Sequence, residues 1–322
     1  MNMKLNKNIK IYITICICIF SYQLCLANQC LDQFYADAPP YLSKQTLKQN
    51  VTPICFNGFA VMHSGISKTP LWSAEHLTPQ RLSQKVKRED SFHAENQVPE
   101  QYRATLKDYK ASGYDRGHMS PNGDMPDSAS QNDSFSLANM VPQKPKNNQE
   151  VWRKLEEATR GMVTKQNQDV YVVTGPIFSG KKLNPIGNGV LVPTAVYKAV
   201  YYPKTGVIGA YLAPNDNSLQ VKAVSVCAVE ELTGINIFPQ LNDALKRKTY
   251  DLPLSTTNVK ANITYTGMDT KSQCAPAMTQ EQIQQSQTAF GTATSHTPAK
   301  GWLQTLKNIL AELLEFISKM LK

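Results

Sequence analysis

Along the pattern of apolar and polar positions, two short apolar stretches at residues 59–64 and 71–76 predict strands around the turn residues Ser67-Lys68-Thr69-Pro70. Residues 99–112 have helical character and end at Gly113. Residues 115–142, rich in Ser, Asn, Asp and Pro, predict a long ordered loop, and loops of that length in a compact domain are usually functional. A helix follows over 149–162. It puts Val151, Trp152, Leu155, Ala158 and Met162 on its inner side, with Asn148 at the N-cap position. Further strands are predicted at 170–173, 190–202 and 207–212, the last two joined by the hairpin turn Pro203-Lys204-Thr205-Gly206. A last helix over 225–233 stops at Gly234. The mixture predicts an α+β domain: a central antiparallel sheet flanked by helices.

The two ends read differently. Lys4, Lys7 and Lys10 precede an apolar run over 11–20, and small residues follow near Ala27. That order predicts a signal peptide over 1–27, since a membrane anchor would need about 20 apolar residues. From 275 to 300 the composition turns to Gln, Thr, Ser, Ala and Pro without apolar periodicity, which predicts a flexible linker. Beyond it, Leu303, Leu306, Leu310, Leu313, Ile317 and Met320 recur at alternating spacings of three and four. Residues 301–322 therefore predict an amphipathic helix, suited to self-association or to lying on a membrane surface.

Composition narrows the class. With 41% hydrophobic and 18% charged residues, the chain is not a disordered one. Its net charge is +9, and loss of three lysines with the leader would leave about +6, which suits a polyanionic partner. Cys30, Cys55, Cys227 and Cys274 remain after residue 27, and the absence of any C-x-x-C pair argues against zinc. Two disulfides fit better. Three pairings are possible, and Cys30–Cys55 with Cys227–Cys274 is favoured because each closes a loop within one end of the domain. Leader and cysteines together predict a secreted or periplasmic protein.

The candidate chemistry lies in Tyr114-Asp115-Arg116-Gly117-His118-Met119, then Asn139-Met140-Val141-Pro142-Gln143, then Asn147-Asn148, then Trp152 and Leu155-Glu156. Each residue alone has an ordinary reading: a structural histidine, a helix cap, a surface arginine, a solvated glutamate. Together they supply what phosphodiester hydrolysis needs. A neutral imidazole can take a proton from water near pH 7. A guanidinium can hold phosphate oxygens in pairs. An oxygen ligand can hold a hard cation against phosphate charge. His118 precedes Asn148 by thirty residues, so a shared site requires the intervening chain to fold back.

The order D-R-G-H, N-x-x-P-Q, N, W-x-x-L-E resembles the DNA/RNA non-specific endonuclease family, over roughly residues 59–268. The resemblance implies a ββα-metal finger nuclease fold. It implies that His118 is the general base and Asn148 the direct protein ligand of a Mg²⁺ ion, for which Mn²⁺ should substitute. It also implies that Glu156 acts on the ion through water, that Asn139 supports the site, and that Arg116 contacts the phosphate. Within Lys87-Arg88-Glu89-Asp90, Arg88 resembles a second substrate-binding arginine, and Asp115 is expected to fix the motif's geometry. DNA and RNA would be held through their phosphates and cut with little sequence preference, leaving 5′-phosphate ends. An alternative keeps the fold but gives the main role to residues 301–322, in a membrane-associated or oligomeric effector.

Overall fold

The computed structural model describes residues 30–180 and 182–291; the expected signal peptide at 1–27 and the amphipathic segment 301–322 lie outside them. The main elements, in chain order, begin with strands β1 (Val51–Cys55), β2 (Ala60–Ser64), β3 (Thr69–Leu77) and β4 (Asp115–His118). Helix α1 (Ser128–Ser134), strand β5 (Met140–Gln143) and helix α2 (Arg153–Gln166) follow. Strands β6 (Val170–Ile177), β7 (Ala195–Tyr202), β8 (Val207–Pro214) and β9 (Lys222–Val224) come next, then helices α3 (Val226–Thr233) and α4 (Gln280–Gly291), with several two- to four-residue strands pairing outside the main sheet.

Seven strands form one antiparallel sheet in the order β9-β8-β7-β6-β3-β2-β1. Successive side chains of a strand point to opposite faces, so the sheet separates two cores. Leu77, Val172, Val196, Val200 and Tyr211 pack against Trp152 and against Leu155, Met162 and Val163 of α2. On the opposite face Trp72, Ala74, Val173, Tyr197, Ala199 and Ile208 meet Val226 and Val229 of α3, Phe34 and Phe290. With both faces covered, β6 and β7 read as nearly continuous apolar runs. The β7–β8 turn takes the expected hairpin form, and Gly206 supplies its positive φ of 69°. Ser225 caps α3 through its hydroxyl, and Gly234 ends it in the left-handed conformation. Disulfides join Cys30 to Cys55 and Cys227 to Cys274, the favoured pairing. Among the described residues no helix is long and apolar enough to cross a membrane.

Two expectations need correction. Residues 115–142 are not one loop but β4, a turn of 3₁₀ helix, α1, another 3₁₀ turn and the start of β5. Many of the Ser, Asn and Asp residues that suggested loop are buried, as where Ser136 Oγ donates to Glu95, while the exposed Asp127 caps α1. Residues 275–300 are likewise not wholly a linker, because α4 occupies 280–291. Only Ile283 and Phe290 of α4 are buried, seven residues and hence two turns apart, so the apolar face is too sparse to register as periodicity. Phe290 lies 5.2 Å from Phe34 and 5.3 Å from Trp72, ring centre to ring centre. The domain thus runs past Cys274 and closes on its own N-terminal segment. Replacing Phe290 by Ala is expected to cost about 3 kcal/mol by removal of a fully buried ring. Urea unfolding of the two proteins checks this, and a change below about 1 kcal/mol would mean that α4 is not docked on the sheet.

Candidate active site

The site is assembled by the pairing of β4 with β5, in the register Asp115↔Gln143, Arg116↔Pro142, Gly117↔Val141 and His118↔Met140. Gly117 permits it: a Cβ there would lie 2.0 Å from Gln143 Oε1 and 2.7 Å from Gln143 Cβ, so no side chain fits. Gln143 Nε2 donates to Asn147 Oδ1, and Asn147 Nδ2 donates to the Pro214 carbonyl at the end of β8 (2.8 Å). Asn215 then donates to the Pro142 and Pro193 carbonyls, each at 2.9 Å, and accepts from Lys144 N. These buried amides tie the ββ unit to the rim of the large sheet.

The chain enters α2 through a π-helical turn, Asn147–Trp152, a wide turn that is frequent at functional sites. Asn148 is therefore inside the helical segment and not its N-cap. Its Nδ2 donates to Asp115 Oδ2 at 2.9 Å, and Gln149 Nε2 donates to the same oxygen at 2.8 Å. Asp115 thus commits the amide nitrogen and leaves Asn148 Oδ1 as the free ligand atom. An amide oxygen, with the Glu156 carboxylate on the same cleft, is a hard-oxygen donor set that fits Mg²⁺ or Mn²⁺.

Arg88, Arg116, His118, Asn148 and Glu156 all line one cleft of about 880 Å³. Asn139 does not. It is buried behind the wall, where its Oδ1 accepts from Ser120 N (3.0 Å) and its Nδ2 donates to the Ser120 and Ser134 carbonyls (2.7 and 2.9 Å). Its amide holds the chain just after His118 and has no donor left for a substrate. Arg88 is exposed, with Nε donating to Asp90 Oδ1 at 2.6 Å.

His118 is half-buried, edge to face with Phe135 at 5.2 Å. Its Nε2 is sealed from solvent and unpartnered, so Nδ1 is the nitrogen open to the cleft. Burial, then the Arg88 guanidinium and more weakly that of Arg116, push its pKa down to about 3, against a smaller opposing pull from Asp90. The imidazole is accordingly neutral, with a low proton affinity for as long as the two arginine charges stand unopposed. Burial pushes Glu156 up to about 7, opposed by Lys198 and Arg160. A cation bound nearby favours its charged form.

Sequence reasoning missed a second layer beneath the cleft. Arg160, one turn beyond Glu156, donates to Asp124 Oδ1 at 2.6 Å. Glu75 on β3 is fully buried, 3.5 Å from Arg81, and burial followed by the Asp124 charge raises its pKa well above the usual carboxylate range. Lys198 on β7 is 1% exposed, with Nζ donating to Thr174 Oγ1 at 2.9 Å. The available signal was a single charge inside an otherwise apolar strand, as in Ala195-Val196-Tyr197-Lys198-Ala199-Val200.

A sharp pH prediction follows from His118. Its pKa in the folded chain lies below the ordinary 6.5, so protonation favours the unfolded chain, and the stability tied to its neutral form is lost progressively as pH falls from 6.5 towards 3. In the free protein the His118 ring resonances should stay fixed between about pH 5 and 8 in an NMR titration. A midpoint near 6.5 would contradict the described environment.

Residues 39–244 match the family described as DNA/RNA non-specific endonuclease. The chain is 37% identical over 196 residues to the mitochondrial nuclease EXOG of Danio rerio, covering 54% of this chain and 57% of that protein. It is 34% identical over 191 residues to mitochondrial endonuclease G of Homo sapiens, covering 53% and 64%. The chain thus spans somewhat over half the length of these curated relatives. Among solved structures it resembles a chain of the EndoG/EndoGI complex, with a TM-score of 0.55 and 29% identity over 60% of this chain and 88% of that one. The relatives correct one expectation. Both named proteins are mitochondrial, and they point to mitochondria rather than to a secreted or periplasmic location.

Proposed function

Because the chain belongs to the DNA/RNA non-specific endonuclease family, we propose that it hydrolyses phosphodiester bonds in DNA and RNA, with His118 as general base and Mg²⁺ held at Asn148. The observation that carries this reading is one cleft in which a neutral imidazole with an open Nδ1, two arginines and an uncommitted amide oxygen converge.

Arg116 and Arg88 hold the non-bridging oxygens of the phosphate. The arriving phosphate offsets the two positive charges that depress the His118 pKa, so the base gains proton affinity when substrate is in place. Nδ1 takes a proton from water as its oxygen forms a bond to phosphorus, and the bond from phosphorus to the 3′ oxygen breaks. The 3′ oxygen takes a proton from solvent water, and the phosphate stays on the 5′ side. A divalent cation, when bound, stabilises charge on the phosphate and leaving oxygen; Asn148 would ligate it directly and Glu156 through water, and Mn²⁺ would substitute. Asp115 keeps the Asn148 amide turned for that task. The cleft offers charge and phosphate donors, which carry no sequence information, so cutting is nearly sequence-blind and weakened by salt.

Supercoiled plasmid and single-stranded RNA should both be cut by the full chain in Mg²⁺, with 5′-phosphate ends at many positions, and be left intact in EDTA. Rates should fall steeply between 50 and 200 mM salt. Undiminished cleavage in EDTA, or no cleavage in either metal, would refute the assignment.

A further inference from the structure

Arg116 differs from Arg88 in how it is held. Arg88 is paired with Asp90, whereas among the described residues the Arg116 guanidinium has no hydrogen-bond or ion-pair partner. Its contact is an aromatic face, with the guanidinium carbon 3.9 Å from the centre of the Phe92 ring. Phe92 also lines the cleft and packs edge to face on Phe135 at 4.8 Å, while Phe135 packs on His118.

The position of Phe92 is built and not incidental. Ser91 Oγ donates to Asn132 Oδ1 (2.9 Å), His93 N donates to the Phe135 carbonyl (3.3 Å), and Leu137 N donates to the His93 carbonyl (2.8 Å). The segment carrying Phe92 is thereby laid alongside residues 135–137, in a parallel bridge between His93 and Ser136.

We propose that Phe92 is a positioning residue: its ring face parks the Arg116 guanidinium at the cleft while leaving all of its N–H donors free for a phosphate. A carboxylate in the same place would orient the arginine equally well, but it would occupy those donors and compete with the substrate. An aromatic face attracts the cation through the ring quadrupole and takes no donor. The same ring, through Phe135, links the phosphate-holding arginine to the His118 imidazole, so base and anion site share one aromatic support. The consequence for substrate rests on the nuclease reading above; the placement of Arg116 does not.

Two variants in the full chain separate the ring face from mere bulk. Phe92→Leu keeps apolar volume and removes the π face; Phe92→Tyr keeps the face. With Mg²⁺ and a short DNA duplex, Phe92→Leu should raise KM roughly 2- to 30-fold, the range of a cation–π contact, with kcat changed less and melting temperature nearly unchanged. Phe92→Tyr should restore KM to within about twofold, and Phe92→Leu should add nothing to the defect of Arg116→Ala. A readout free of activity is the NMR shift of the Arg116 side-chain protons, which the ring current should move upfield in the parent and in Phe92→Tyr but not in Phe92→Leu. An unshifted Arg116 signal in the parent overturns the proposal, as does an unchanged KM in Phe92→Leu. A shifted signal in a chain that neither binds nor cuts nucleic acid would instead overturn the nuclease reading and leave the placement of Arg116 standing.

Discussion

The contact on which the site depends is the close approach of Gly117 to Gln143 where β4 pairs with β5. Any side chain at residue 117 would collide with Gln143, and without that approach the register that sets His118 opposite Met140 could not form. The pairing turns thirty residues of sequence separation into one cleft wall, because β5 leads within a few residues into the π-helical turn that carries Asn148. Buried amides make the arrangement rigid. Gln143, Asn147, Asn139 and Asn215 each join backbone or side-chain groups from different segments, and none of them faces the cleft. Breaking any of these bonds would leave a buried amide group unpartnered at a cost, as Gln143 Oε1 already is among the described residues.

On that frame the electrostatics divide the cleft. At one side burial and arginine charge hold the His118 imidazole neutral, as a base requires. At the other, Asn148 and Glu156 present oxygen, above a buried layer in which Arg160 meets Asp124 and Arg81 meets Glu75. A buried ion pair contributes little net stability, because the cost of desolvating both charges offsets their attraction. Their concentration directly beneath α2 therefore reads as a device for fixing the helix that carries Glu156, and not as a source of fold stability.

Much of the sheet was legible in the sequence, because β-branched and aromatic runs between turn residues leave few other structures open to the chain. The cleft residues were legible as an ordered set, although no one of them was informative alone. What escaped has physical causes. In residues 115–142 polar residues satisfy buried backbone, so composition mimicked loop where strands and a helix stand. In α4 two buried side chains suffice for docking, too few to show a period. Lys198 and Glu75 sit in strands whose apolar neighbours dominate the pattern. For Asn139 the motif implies support of the site, and only its three inward hydrogen bonds say how that support is given. The location was misread because a basic and then apolar stretch of sequence, with paired cysteines, carries no compartment by itself.

The central claim is that His118, neutral and open at Nδ1, removes the proton from the attacking water. Its most direct test is single-turnover cleavage of a defined DNA by His118→Ala at saturating Mg²⁺, with circular dichroism and DNA binding measured on the same preparation. Loss of general-base catalysis should lower the rate by at least about 10²-fold with fold and binding kept. A rate within a few-fold of the parent would contradict the account.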